Sequence, residues 1–508
     1  MKKWFSKRTL SLNLCLGAVL SMFCFQLHAK ENVGKECKDL QSFLSTSSFK
    51  IDCNPHFHHY NSKAIKKYYN KSDAIRNGLK MATFNLLYPG NTRNRYKDYK
   101  ILAKMMNKWD IIGAQELVPS QGEEFHHNQM LMTSRASSAK LIREHYKIPG
   151  FLIILNELRK FDPSWALLVS SKAEAAKEKY SKELGGFFYR ASAVKPIDNH
   201  FCEDNYDNED GPSLGCLADF TKATIGKEAN SIFSRRPFIA SFKSGNFDFT
   251  ALTSHVVYTS PTDPKVRERI VKKAFGIKNY KDLGKGVTTE TYARFAEIKI
   301  TFQFMEYLWS YYDEEDIILL GDFNVESKNP FWKKIQDEFQ GSDVLNSAPT
   351  TLTDQKYKFL RGKEIITNGV SRNYDHIVLN RGYTKECSGE AKAFNFLEDN
   401  DIGLAIKKKY IVRSSKKRGS TYPINASNEK RMNTLIQKYK KTLYNKLTIK
   451  RNKVVKDTKD IKRFVSGYKK RVFQSQKKDR SYYHLYKEII SDHLPVYMSC
   501  DTSGSDDD

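Results

Sequence analysis

Eight polar residues fall where apolar runs of the chain end: Asn85, Glu116, His255, Asp322, Asn324, Asp375, Asp492 and His493. Their carboxylates and amides are hard oxygen donors, the set a magnesium-like ion prefers, with manganese or calcium as the other ions such donors take. Two histidines beside carboxylates suit proton transfer to and from water or a leaving oxygen. A cation to neutralise a phosphate, together with a base and an acid, is the equipment of phosphodiester hydrolysis. Each residue also has a plainer reading. Asn85 could cap a turn, His255 could be a satisfied core histidine, and Ser491-Asp492-His493 could be an ordinary loop. Singly the plainer readings win; their recurrence at strand ends favours the chemical one.

The elements that must carry these groups are read from periodicity. In Asp316 to Glu326, the apolar run Ile317 to Leu320 has the make-up of a strand buried on both faces, and Gly321 breaks it. Asp322 and Asn324 follow two apart, so both point the same way from the strand's end. Met81 to Leu87 reads as a strand delivering Asn85, followed by a turn at Tyr88-Pro89-Gly90. A helix with Leu102, Met105, Met106 and Trp109 on one face comes next, then a strand Asp110 to Leu117 carrying Gln115 and Glu116. Residues 120 to 183 are mostly helical in pattern. Strands are expected over Gly186 to Val194, Ile232 to Phe242 and Phe247 to Tyr258, the last alternating toward His255. Ile298, Phe302, Met305, Trp309 and Tyr312 form a core-facing helical stripe. Asn373 to Leu379 carries Asp375, and Ile489 to Met498 carries Asp492 and His493.

The whole chain sets the limits. Its 508 residues are ample for a large core, and a net charge of +27 makes a field attractive to nucleic acid or to anionic membrane. Residues 1–29 have the make-up of a secretory signal, with a basic start at Lys2, Lys3, Lys7 and Arg8, then the mostly apolar run Leu10 to Leu27. No later segment is long and apolar enough to span a bilayer, so the expectation is an exported protein, secreted or periplasmic. Cys37, Cys53, Cys202, Cys216, Cys387 and Cys500 remain after the signal, and an even count in an exported chain favours disulfides, Cys202 with Cys216 being close enough for a local one. Residues 30–79 read as a stapled N-terminal extension, and His56, His58 and His59 there are a weak metal motif. Residues 401 to 480 hold 26 Lys and Arg against five Asp and Glu, with helical stripes at Met432 to Leu443 and Ile461 to Val472. The last residues, 501–508, form an acidic tail.

The ordered set Phe84-Asn85, Gln115-Glu116, Thr253-Ser254-His255, Gly321-Asp322-Phe323-Asn324, Tyr374-Asp375-His376 and Ser491-Asp492-His493-Leu494-Pro495 resembles the endonuclease/exonuclease/phosphatase superfamily. Within it the chain looks most similar to the deoxyribonuclease I-like secreted nucleases, through Phe188-Tyr189-Arg190, the Cys202 to Cys216 loop and Phe233-Ser234-Arg235-Arg236-Pro237-Phe238. The resemblance implies an α/β four-layer sandwich over residues 80–500: two mixed β-sheets face to face, helices outside, and a site at one rim. It implies that Glu116 holds the divalent ion with Asn85 and Asp492, and that His255 and His493 are the acid–base pair. Asp375 would orient His493, Asp322 and Asn324 would position water and a phosphate oxygen, and Arg235 would contact substrate phosphate. Glu174 is the candidate to orient His255.

The departure from that pattern is the Lys- and Arg-rich helical insertion, residues 390–480, where a short connection is expected. It reads as a nucleic-acid-binding arm whose phosphate contacts are independent of sequence; the plainer alternative is a solvated insertion with no partner. The expectation is an exported, divalent-metal-dependent nuclease of low sequence specificity, acting on DNA or else RNA, with no protein partner inferable. Its competitors are a sphingomyelinase-like phospholipid phosphodiesterase and a catalytically dead DNA-binding relative. Against the lipid reading, the sequence offers no compact aromatic-rich hairpin of the kind that enters a bilayer.

Overall fold

In the computed structural model, the described residues are 49–74, 78–89, 97–118, 149–171, 183–206, 213–223, 229–256, 289–339, 342–353, 357–360, 363–366, 368–410 and 482–504, with a few positions between 265 and 278. Long runs of buried β-formers make two mixed sheets. The first has eight strands: β1 (Phe49–Cys53), β2 (Phe57–Ser62), β3 (Leu79–Asn85), β4 (Ile111–Leu117), β5 (Trp165–Ser170), β6 (Leu184–Arg190), β16 (Lys392–Ala393) and β17 (Val496–Cys500). Their spatial order is β1-β2-β5-β6-β4-β3-β17-β16. The second runs β12 (Ser342–Val344), β15 (Asp375–Asn380), β11 (Ile317–Asp322), β10 (Phe247–His255), β9 (Phe238–Ser244), β7 (Lys195–Ile197), with β8 (Cys216–Leu217) beside β9.

Only β3–β4 and β10–β11 are parallel among the pairs of described strands, and they lie in the middle of the sheets. A third core, including Phe187, Ala240, Ile318, Leu320 and Ile377, fills the space between the sheets. Helices Tyr99–Met106 and Gly150–Leu158 cover the outer face of the first sheet, with Ile402, Ile406 and Tyr486 from helices Ile402–Tyr410 and Tyr482–Ile489. Helices Thr289–Tyr312 and Pro330–Glu338 cover the second. This is the four-layer α/β sandwich.

Several local expectations change. The 30–79 extension is not an appendage from residue 49 onward, because β2 pairs with β5 and extends the first sheet. His58 and His59 are buried in it, and burial pulls both imidazoles down to about 4. His59 is bonded to the Tyr189 hydroxyl at 2.5 Å, a core arrangement rather than a metal one. Within the stretch read as mostly helical, Trp165–Ser170 is a buried strand. The strand expected from Ile232 begins only at Phe238, leaving Arg235 in a loop. On Thr289–Tyr312, Ile298, Phe302 and Met305 are buried as expected, but Ile300, Phe304 and Leu308 are buried too. Trp309, expected in the core, is 39% exposed and stacks on Tyr383.

Two disulfides are described, Cys202–Cys216 and Cys387–Cys500, and Cys53 is also disulfide-bonded. Among the described residues no helix is long and apolar enough to cross a membrane. Of the basic insertion only residues up to 410 are described; the stripes at 432–443 and 461–472 lie outside the described residues, as does the signal segment. A two-stranded ribbon, β13 (Tyr357–Leu360) with β14 (Lys363–Ile366), belongs to neither large sheet. It lies on the excursion whose base, 350–353 against 369–372, is paired through Thr353 N to Gly369 O and Ser371 N to Thr351 O.

Candidate active site

Strand direction explains why the polar residues meet. β3, β4, β10 and β11 reach the rim with their C-terminal ends, bringing Asn85, Glu116, His255 and Asp322. β15 and β17 run the other way, so Asp375 opens β15 and Asp492-His493 precedes β17 at the same rim. Register aligns them: Asn85 is opposite Gln115, His255 opposite Asp322, and Asp322 opposite Asp375. Gly321 is required at this join, since a Cβ there would stand 1.9 Å from the Ser254 carbonyl oxygen. The backbone is bent at the rim as well. Leu87, Tyr88, Glu116 and Asn324 all have positive φ, between 47° and 58°.

The two histidines are held in matching ways. His493 Nδ1 lies 2.7 Å from Asp375 Oδ2, and His255 Nδ1 lies 2.7 Å from Glu183 Oε2. Their Nε2 atoms converge on one carboxylate oxygen, Asp322 Oδ2, at 3.5 Å from His493 and 3.6 Å from His255. Asn85 Nδ2 donates to that oxygen at 3.1 Å and to Glu116 Oε1 at 3.0 Å. The Asp322 turn is fixed by Asn324 N donating to Asp322 Oδ1 and by Asn324 Nδ2 donating to the Val256 carbonyl. Arg294 Nη1 holds the Asn324 carbonyl at 2.8 Å.

Electrostatics separates the groups. Burial alone would lower both imidazoles. Asp375 and Asp322 outweigh it at His493, which is raised well above its ordinary value, and Glu183 and Asp322 outweigh burial and Arg235 at His255, which is also raised. Burial would raise Glu183, but Arg235 and His255 hold it down at about 2. Glu116 goes the other way, pushed up to about 7 by burial and by its neighbours Glu183 and Asp492. Excess negative charge collects around Glu116.

Two acidic groupings could hold a cation. Ligand atoms of Asp322, Asp375 and His493 lie within 4.8 Å of one another. There, however, His493 Nδ1 is bonded to Asp375, and the imidazole supplies the compensating charge. Buried carboxylate oxygens with no hydrogen-bond partner occur in both groupings: Asp375 Oδ1 in the first, Glu116 Oε2 and Asp492 Oδ1 around Glu116. Buried carboxylate oxygens without donors are costly, and a divalent ion held by Glu116 and Asp492 would fit that deficit, whereas Asn85 turns its Nδ2 to Glu116 and its Oδ1 to Leu87 N.

One sequence expectation is revised. Glu174 lies outside the described residues, and the carboxylate on His255 is Glu183, immediately before β6. Arg235, expected to contact substrate phosphate, is placed against the His255 pair: its Nε and Nη2 bond Glu183 at 2.9 and 3.1 Å, and its Nη1 donates to the His255 carbonyl. Tyr88, which donates to Glu183 Oε1 at 2.8 Å, and Ser491, whose hydroxyl holds the Asn85 carbonyl at 2.6 Å, were also missed. Ser491 had a signal in its place beside Asp492. Nothing in the sequence near Glu183 marks it.

No family model matches the chain, and no curated protein matches it. Solved structures give distant likenesses. An endonuclease/exonuclease/phosphatase family protein from Leptotrichia buccalis C-1013-b is 14% identical with a TM-score of 0.35, covering 64% of this chain and 94% of its own. TDP2 of D. rerio, complexed with a single-strand DNA product, is 12% identical with a TM-score of 0.31, covering 63% and 89%. A β-hairpin deletion mutant of beta toxin from Staphylococcus aureus is 12% identical with a TM-score of 0.31, covering 61% and 89%. Likenesses this distant transfer no chemistry to this chain.

Proposed function

We propose that the protein is a divalent-metal-dependent phosphodiesterase of the endonuclease/exonuclease/phosphatase type, exported, and acting as a nuclease on DNA or RNA. The observation that carries the reading is the convergence of two carboxylate-held imidazoles on Asp322, beside the electron-rich Glu116 corner. His255 and His493 each keep Nε2 toward the common spot, because Glu183 and Asp375 occupy Nδ1. One imidazole takes a proton from the attacking water and the other gives one to the leaving oxygen. Asp322 and Asn324 orient the water and a phosphate oxygen, and Asn85 ties the two halves together. Glu116 and Asp492 would hold a divalent ion, which would supply charge neutralisation at the phosphate. The Lys- and Arg-rich segment supplies sequence-independent attraction to the polyanion.

The test is a digest of supercoiled plasmid, linear DNA and RNA by the purified protein with magnesium, manganese or calcium, with and without EDTA. Hydrolysis that EDTA abolishes is expected; intact nucleic acid with every ion overturns the reading. A second reading, a phospholipid phosphodiesterase, gains from the β13–β14 ribbon, whose strands include Tyr357 and Phe359. Release of phosphocholine from sphingomyelin liposomes, with nucleic acid left intact, would select that reading. Salt-sensitive DNA binding with no turnover on either substrate would instead select the binding relative.

A further inference from the structure

The Glu183 carboxylate takes four donors. On Oε1 these are the Tyr88 hydroxyl at 2.8 Å and Arg235 Nη2 at 3.1 Å; on Oε2 they are His255 Nδ1 at 2.7 Å and Arg235 Nε at 2.9 Å. An ionised carboxylate offers about four lone-pair sites, so Glu183 is filled. Glu116 is not: its Oε1 takes Asn85 Nδ2, and its Oε2 takes no hydrogen bond. Glu116 and Glu183 immediately precede Leu117 and Leu184, which are partners across β4 and β6, so the two carboxylates stand on neighbouring strands at the same rim. A cation brought to Glu116 therefore pulls on Glu183 as well. If Glu183 turned toward that ion, His255 would lose the acceptor that fixes its ring.

The segment that prevents this is built under constraint. Leu87 and Tyr88 are consecutive non-glycine residues at φ 48° and 47°, a left-handed backbone that side-chain-bearing residues avoid. Such conformations persist only where surrounding contacts determine them. Here Leu87 N is held by Asn85 Oδ1 at 3.0 Å, and the Tyr88 hydroxyl is held by Glu183. The left-handed pair turns the chain back immediately after Asn85. One short segment thus touches the cation side of the site through Asn85 and the proton-transfer side through Tyr88.

We propose that Tyr88 is a positioning residue that pins Glu183 to His255 and keeps it from becoming a ligand of the cation at Glu116. The proposal rests on the metal-dependent hydrolase reading above. Arg235 shares the task but also holds the His255 carbonyl, so Tyr88 is the cleaner probe.

The experiment compares the full-length wild type with Tyr88→Phe, which keeps the ring, and with Tyr88→Leu, which removes it. Manganese affinity is measured by calorimetry without substrate, and kcat and KM are measured on plasmid DNA. Both variants are expected to lose about 10-fold or more in kcat with KM little changed, the scale at which orienting partners act. Both are also expected to bind manganese more tightly, as Glu183 is recruited. A merely structural hydroxyl would lower the melting temperature and move neither quantity in the folded enzyme. Unchanged kcat and manganese affinity in folded Tyr88→Phe would overturn the proposal. Should Tyr88→Phe fail to fold, Tyr88→Trp, with a ring but no hydroxyl oxygen, decides by the same two readouts. A wild type inactive on every phosphodiester, with manganese binding still tightened in the variants, would sink the functional reading and leave the pin standing.

Discussion

Glu183 receives its donors from residues far along the chain: Tyr88 lies 95 positions before it and Arg235 52 after. Exchanging it for glutamine is expected to lower kcat by roughly 10- to 100-fold, whereas Glu174→Gln leaves kcat unchanged; steady-state kinetics on plasmid DNA checks both. Alanine at His255 or His493 is expected to cost about 10²- to 10⁴-fold in kcat with the fold intact. Those histidines were legible in the sequence because each lies at the end of an apolar run, His255 closing β10 and His493 just before β17. Glu183 was not, because its role is assigned by partners from other strands. A pH effect belongs to this scale too. His58 is buried with no hydrogen bond on Nδ1, and its imidazole is lowered from 6.5 to about 4. A histidine lowered on folding contributes its full stability above the unfolded value. That contribution declines as pH falls from about 6.5 toward about 4, where roughly 3 kcal/mol is lost. Urea midpoints across that window should fall less steeply for His58→Phe than for the wild type. Equal slopes would remove His58 as the cause.

The join of β10 and β11 is where an element-scale constraint is tightest. Gly321 lies against the Ser254 backbone, so Gly321→Ala forces the two central strands apart. A loss of about 1–3 kcal/mol is expected, as for other overpacked buried positions, together with loss of activity because His255 and Asp322 ride on those strands. An unchanged denaturant midpoint would refute this. Sequence periodicity recovered the strands carrying the site, because uninterrupted apolar runs admit few other structures. It did less well at edges. β1 and β2 contain Asp52, His58, His59 and Asn61, polar residues that the extended first sheet nonetheless accommodates through His59–Tyr189 and Asn61–Asp52 bonds. It also assumed one buried stripe on Thr289–Tyr312, although that helix is buried on more than one face until it leaves the sheet near Trp309. The ribbon at Tyr357–Ile366 went unseen for a related reason: Lys358, Lys363 and Glu364 interrupt any apolar pattern.

At the scale of the molecule, charge is distributed unevenly. The net charge is +27, and residues 401–480 supply an excess of 21 positive charges. Removing 411–481 is expected to flatten the dependence of DNA binding on salt, since each lost phosphate contact reduces the logarithmic slope by about 0.9. Hydrolysis of a short, uncharged-tailed phosphodiester should survive that deletion. An unaltered salt slope would show that the segment has no part in binding. The four-layer arrangement was legible from the order of its strand-end motifs; how the chain closes around the basic segment was not, because cysteine spacing alone does not fix pairing. The Cys387–Cys500 bridge settles that closure. It makes residues 387 to 500 a covalent ring, with the basic segment as one arc and His493 on another. A break engineered within 411–481 would therefore open the ring without releasing a fragment. β17, flanked by β3 and β16, would stay attached by both sulfur and sheet. Such a nicked protein would run as one piece without reductant and as two with it, and the histidine nearest the chain's end would keep its place throughout.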